Sequence, residues 1–197
     1  MSFKKETRIL GIDDGPFKKF SSKETILVGS VFRGGEWLDG VLTDKITVDG
    51  FDSTKKIIDL INNSRHKKQL QTVFLDGLTF AGMNIVDIKK LNNQVSLPIV
   101  IVSRKKPDFE SIKRALKNVS KSEKRWKLIK KAGEPIKVKT NSRKEEKPIF
   151  IQVEGMEESK AKELTKMIST RSRIPEPIRI SHLISTGIVR GESYGNA

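Results

Sequence analysis

Two short apolar runs that end in carboxylates constrain this chain most. The first is Arg8-Ile9-Leu10-Gly11-Ile12-Asp13-Asp14-Gly15 and the second is Thr72-Val73-Phe74-Leu75-Asp76-Gly77. Runs this short and this apolar read as strands buried on both faces. Each delivers an acid at its C-terminal end, where a sheet opens to solvent. If the two strands lie side by side, Asp13 and Asp76 converge, with Asp14 next to them. Converging carboxylates repel unless a hard cation lies between them, and Mg²⁺ prefers oxygen ligands. Either motif alone also reads as an Asp-Gly turn. The pair, in a basic chain, favours a metal site.

The basic character is marked. Among 197 residues, 39 Lys+Arg stand against 24 Asp+Glu, a formal charge of +15. Most of it is local: residues 104–148 hold 17 Lys+Arg and 6 Asp+Glu, a net of +11. A polyanion is the natural partner, because each neutralised phosphate releases counterions. The plainer reading is a solvated helix face with a lysine-rich loop. No apolar run approaches a membrane span and the N-terminus lacks a signal h-region, so a cytoplasmic protein with no membrane partner is expected. Without cysteine there is neither disulfide nor thiolate site. With only His66 and His182, a zinc centre is not expected.

Along the chain, 24–32 and 37–48 read as strands joined at Arg33-Gly34-Gly35. A helix carrying Ile57, Ile58 and Ile61 follows, with Asp52 or Ser53 as its cap. After the Asp76 strand, Asn84 is the expected cap of the next helix, and Leu97–Val102 is a third buried strand. Asp108 caps a further helix, and Ser120-x-x-Glu123 has the form of a capping box. Trp126, within Lys124-Arg125-Trp126-Lys127, reads as a core anchor or as a base-stacking ring. A strand at 149–153, a helix at 157–169 and a last helix from Pro177 complete the chain, the last placing His182 and Arg179 near one face.

A hairpin plus strand, then alternating helices and strands, is a mixed α/β order. It is the order of a ribonuclease H-like fold, expected here as one domain over residues 1–197. In that fold, carboxylates on the first and fourth strands hold two divalent ions for phosphodiester hydrolysis. Asp13 and Asp76 take those positions. Asp14, Asp49 and Asp52 are candidates for the third ligand, and Asp52 also reads as a helix cap.

Several segments together resemble the archaeal endonuclease dU family, which is related to endonuclease V. They are Gly11-Ile12-Asp13-Asp14-Gly15-Pro16-Phe17, Phe32-Arg33-Gly34-Gly35, Asp76-Gly77 with Ala81-Gly82-Met83-Asn84-Ile85-Val86-Asp87, and Arg190-Gly191-Glu192-Ser193. The segment Pro175-Glu176-Pro177-Ile178-Arg179-Ile180-Ser181-His182 is similar to a late segment of endonuclease V. That match implies a site role for His182, which alone reads as a satisfied helix histidine. The strand from Ile99 to Arg104 resembles one that ends in a lysine there, which implies that Arg104 faces the phosphate.

The resemblance implies a Mg²⁺- or Mn²⁺-dependent endonuclease that nicks DNA near deoxyuridine, with Asp13, Asp52, Asp76 and His182 at its catalytic centre. The expected nucleic-acid contacts are Arg104, Lys105, Lys124, Arg125, Lys127, Lys130, Lys131 and Arg179. A nuclease for another lesion, a nuclease for RNA, and a nucleic-acid-binding protein without catalysis are the rival readings.

Overall fold

The computed structural model describes residues 3–18, 21–140 and 147–193. Its elements are β1 (Arg8–Asp14), β2 (Glu24–Arg33), β3 (Trp37–Thr47), α1 (Ser53–Asn62), β4 (Thr72–Asp76), β5 (Thr79–Phe80), β6 (Asn84–Ile85), α2 (Ile88–Val95), β7 (Ile99–Ser103), α3 (Phe109–Leu116), α4 (Ser122–Lys131), β8 (Ile136–Val138), β9 (Ile149–Glu154), α5 (Glu158–Ile168) and α6 (Glu176–Arg190). A seven-stranded mixed sheet has the order β3-β2-β1-β4-β7-β9-β8. Strands β1, β4 and β7 are parallel at its centre, while β2 and β9 pair antiparallel to their neighbours. No helix among the described residues is long and apolar enough to cross a membrane.

The central strands are apolar on both faces because helices cover both. Leu10 and Ile12 of β1 pack with Ile57, Ile61, Leu91 and Val95 of α1 and α2. Ile9, one residue before Leu10, points the other way and packs with Phe74, Leu164, Ile168 and Ile178, beneath α5 and α6.

Small side chains let α6 lie directly on β1 and β2. A Cβ at Gly11 would stand 2.3 Å from the carbonyl carbon of Pro177. Ser30 Oγ donates to the Pro177 carbonyl (2.5 Å), and Ser181 Oγ donates to the Gly11 carbonyl (2.9 Å). Ser185 Oγ donates to the Asp14 carbonyl at 3.1 Å. The buried hydroxyls are thus satisfied by the main chain they approach. Gly11→Ala should lower unfolding stability by about 1–3 kcal/mol or more, the usual range for overpacking. Urea unfolding measures this, and an unchanged midpoint would mean that α6 is seated elsewhere.

Two local expectations are corrected. Asn84 caps no helix; it lies in β6, where its side chain accepts from Ser53 N and donates to the Thr47 carbonyl and Asp52 Oδ1. The cap of α2 is Asp87, which accepts from Lys90 N. Ser120 and Glu123 form no capping box, because the chain is left-handed at Lys121 (φ 54°) and the Ser120 carbonyl accepts from Arg125 Nε instead. Residues 141–146 of the basic segment lie outside the described residues.

Candidate metal centre

The register of β1 on β4 runs from Ile9 opposite Thr72 to Ile12 opposite Leu75. One step further, Asp13 comes beside Asp76. Both fall on the α6 face, following the alternation through Ile9, Gly11 and Phe74. On β7, Val102 pairs with Asp76, so Arg104 two residues later shares that face. His182 is one residue past Ser181, which is bonded to β1, so the seating of α6 sets the height of the imidazole. Asp13, Asp76 and His182 each present a ligand atom, all within 4.8 Å of one another. His182 Nδ1 lies 2.8 Å from Asp13 Oδ2, and Arg104 Nη1 lies 2.9 Å from both oxygens of Asp76.

The electrostatics follow from burial and like charge. Burial, then the neighbouring Asp13, raise Asp76 to about 6, against the pull of Arg104. The hydrogen bond to Asp13 raises His182 above the usual imidazole range. Two carboxylates held this close are stabilised by added positive charge. Arg104 supplies one unit, and a divalent cation would supply more. Two carboxylates and an imidazole make a donor set that fits such an ion. A cavity of about 270 Å³, lined by Gly77, Leu78, Ser103, Phe109, Ile129 and Gln152, lies on the face of the sheet opposite α6, and none of Asp13, Asp76, His182 and Arg104 lines it.

The other candidate acids stand outside the cluster. Asp14 points to the opposite face, where Oδ2 accepts from Ala81 N at 3.0 Å; burial, then Asp13, raise its carboxyl to about 7. Asp49 has φ 54° and accepts from Met83 N at 2.8 Å. Asp52 accepts from Asn84 Nδ2 (2.6 Å) and Thr47 Oγ1 (2.8 Å), so its carboxylate joins two loops and makes no bond to the N-terminus of α1. The third group beside Asp13 and Asp76 is therefore His182, not an acid of this set.

The basic residues divide. Lys105, Lys124, Lys127, Lys130 and Lys131 are exposed, Lys131 with Asp87 at 3.6 Å. Arg179 is turned onto Glu176, which receives its Nε at 2.9 Å. The expectation for Arg125 is overturned, since this residue is 0% exposed. Its guanidinium donates to the carbonyls of Gly50 (3.0 Å), Asp49 (2.6 Å) and Met83, and Nε donates to that of Ser120, which leaves it unable to reach a phosphate. Trp126 is partly buried and meets Phe109 edge-on, with centroids 6.3 Å apart, which is the anchor reading. Sequence reasoning missed the serines that seat α6. Their signal was the spacing of Ser181 and Ser185, one helical turn apart beside His182.

A family model for endonuclease dU matches residues 5–189. A UPF0215 protein of Methanothermobacter thermautotrophicus is 49% identical over 195 residues, covering 98% of this chain and 93% of that relative. A solved structure of an Archaeoglobus fulgidus protein of unknown function is 36% identical, with a TM-score of 0.83 over 94% of this chain and 99% of that one. The fold is also that of endonuclease V. The Ciona intestinalis enzyme, crystallised with a 24mer DNA containing an inosine, aligns with a TM-score of 0.66 at 18% identity, over 96% of this chain and 88% of that one. With a family match over nearly its whole length and relatives this similar, the chain belongs to the endonuclease dU family.

Proposed function

We propose that this protein is a metal-dependent endonuclease that nicks DNA at deaminated bases, deoxyuridine foremost. The observation that carries the reading is the gathering of Asp13, Asp76 and His182 within 4.8 Å at the open end of the sheet, with Arg104 bonded to Asp76. Asp13 and Asp76 would hold a Mg²⁺ or Mn²⁺ ion, with His182 at the edge of the site. When bound, such an ion supplies charge stabilisation at the scissile phosphate and lowers the pKa of water. Arg104 spends one nitrogen on Asp76 and keeps further N–H groups for a phosphate oxygen. His182, engaged at Nδ1 by Asp13, presents Nε2 for holding or passing a proton. The three gathered groups suit one ion. A two-ion version would need a further acid, and Asp14, the next in the chain, is turned to the opposite face onto Ala81 N.

The family description supports deoxyuridine, and the neighbour crystallised with DNA supports a nucleic-acid substrate. The test is a panel of otherwise identical duplexes carrying uracil, hypoxanthine, one ribonucleotide or no lesion, with Mg²⁺ and with EDTA. Metal-dependent cleavage favouring uracil is expected. Cleavage only at the ribonucleotide would replace this reading with the RNA reading. Binding without cleavage of any duplex would leave a binding protein.

The exposed lysines give a separate expectation. Changing Lys124, Lys127 and Lys130 to Glu should weaken binding to every sequence alike. The slope of log K against log salt should flatten by about one unit per lost phosphate contact. An unchanged slope would mean that this helix face is merely solvated.

A further inference from the structure

We infer that Phe51 is a stacking platform for an unpaired nucleobase of the substrate. The inference rests on the nucleic-acid reading above and adds to it a contact that neither the cluster nor the cavity supplies.

The position comes first. Strands β1 and β3 both run antiparallel to β2, so both exit at the same end of the sheet. The turn after β3, which carries Phe51, therefore lies at the end that bears Asp13 and Asp76. It is tied to that end by hydrogen bonds. Asp49 N donates to the Ala81 carbonyl at 2.8 Å, and Ala81 N donates to Asp14 Oδ2 at 3.0 Å. Arg125 locks the turn from below through the carbonyls of Asp49 and Gly50. The left-handed backbone at Asp49 is held by these contacts. Phe51 thus stands on a rigid base.

The ring itself is unusual in its surroundings. Phe51 is 38% exposed and belongs to none of the hydrophobic clusters among the described residues. The guanidinium carbon of Arg125 lies 3.9 Å from its centroid, with Lys121 Nζ at 5.3 Å and Lys124 Nζ at 5.5 Å. The Arg125 guanidinium accounts for one face of the ring through a cation–π contact. A partly exposed flat ring, backed by a guanidinium and with two exposed lysine ammonium groups over it, matches the chemistry of a base with its phosphates. The π-face takes the base and the ammonium groups take the backbone. A fully paired duplex keeps its bases stacked on one another and offers this ring nothing. An extrahelical or unpaired base does.

The test uses the full chain in EDTA, so that nothing is cut. Two fluorescently labelled duplexes are compared, one carrying a single bulged 2-aminopurine and one fully paired. Phe51→Ala should raise the Kd for the bulged duplex about tenfold, within the range for losing one base–aromatic stack, and leave the paired duplex unchanged. Phe51→Trp should bind like the wild type. Phe51→Leu, which preserves apolar cover but removes the ring, should behave like Phe51→Ala. Quenching of 2-aminopurine by the wild type should disappear in both ring-less variants. Wild-type behaviour in Phe51→Leu would overturn the platform and make Phe51 a lid over Arg125. Equal weakening on both duplexes, or none on either, would also overturn it. Failure of the wild type to bind either duplex would instead remove the nucleic-acid reading itself, so the two failures are distinguishable.

Discussion

Asp13→Asn should leave the protein folded and able to hold DNA, yet without measurable cleavage. The amide retains the shape of the side chain but has one acceptor oxygen where Asp13 uses two, one for Asp14 N and one facing His182 Nδ1, so one of these contacts is lost. It also removes one negative charge beside Asp76. Substitutions in the shell around a metal ligand already cost about 10–100-fold in affinity or activity, so replacing a ligand should cost at least the upper figure. Single-turnover cleavage at saturating enzyme measures the loss, and anisotropy on the same duplex measures binding. The exposed lysines of α4 are untouched, so Kd should move little. Wild-type cleavage by Asp13→Asn would remove Asp13 from the chemistry. Loss of binding together with cleavage would mean that the variant perturbs the fold.

Asp14→Asn should stabilise the metal-free protein at alkaline pH and much less at acid pH. In the folded chain this carboxyl is raised to about 7 from its ordinary value of 3.8, by burial and by Asp13. A raised acid means that the folded state keeps its proton while the unfolded chain releases it. The associated stability is therefore complete below about pH 4 and is lost as pH climbs to about 7. The upper bound is ~4 kcal/mol, at about 1.4 kcal/mol per pKa unit, and relaxation around Asp13 and Asp76 will reduce it. Asparagine keeps the acceptor for Ala81 N and carries no charge. Melting in EDTA should show the wild type losing more on going from pH 5 to pH 8 than the variant does. At pH 8 a gain of about 1–3 kcal/mol corresponds to several degrees in a chain of this length. A variant less stable than wild type at pH 8 would mean that the Asp14 charge is well compensated in the fold.

Much of the fold was legible because the acid-bearing strands are short, apolar and abruptly terminated. The same pattern that suggested β1 and β4 is what buries them between helices on both faces. Register was not legible, since nothing local says that Ile12 lies opposite Leu75. Asn84 misled because an asparagine that links Thr47, Asp52 and Ser53 across two loops looks, in sequence, like a cap. Strands β5 and β6, two residues each, are too short for any periodicity to report them. Arg125 was read with its lysine neighbours as solvated charge. Its spacing of four from Ile129, on the buried face of α4, was the available sign of burial. His182 depended on the resemblance of the segment from Pro175 to His182. The physical reason it faces Asp13, a helix lowered onto β1 by Gly11, Ser30 and Ser181, needs all three distant residues at once.

The most direct test of the central claim is an anomalous difference map from crystals of the full chain soaked in Mn²⁺. The account predicts a peak coordinated by Asp13 and Asp76, with metal–oxygen distances of roughly 2.0–2.3 Å, His182 nearby and Arg104 withdrawn from Asp76 far enough to admit the ion. No peak at these carboxylates at saturating Mn²⁺, with Arg104 still bonded to Asp76, would contradict it.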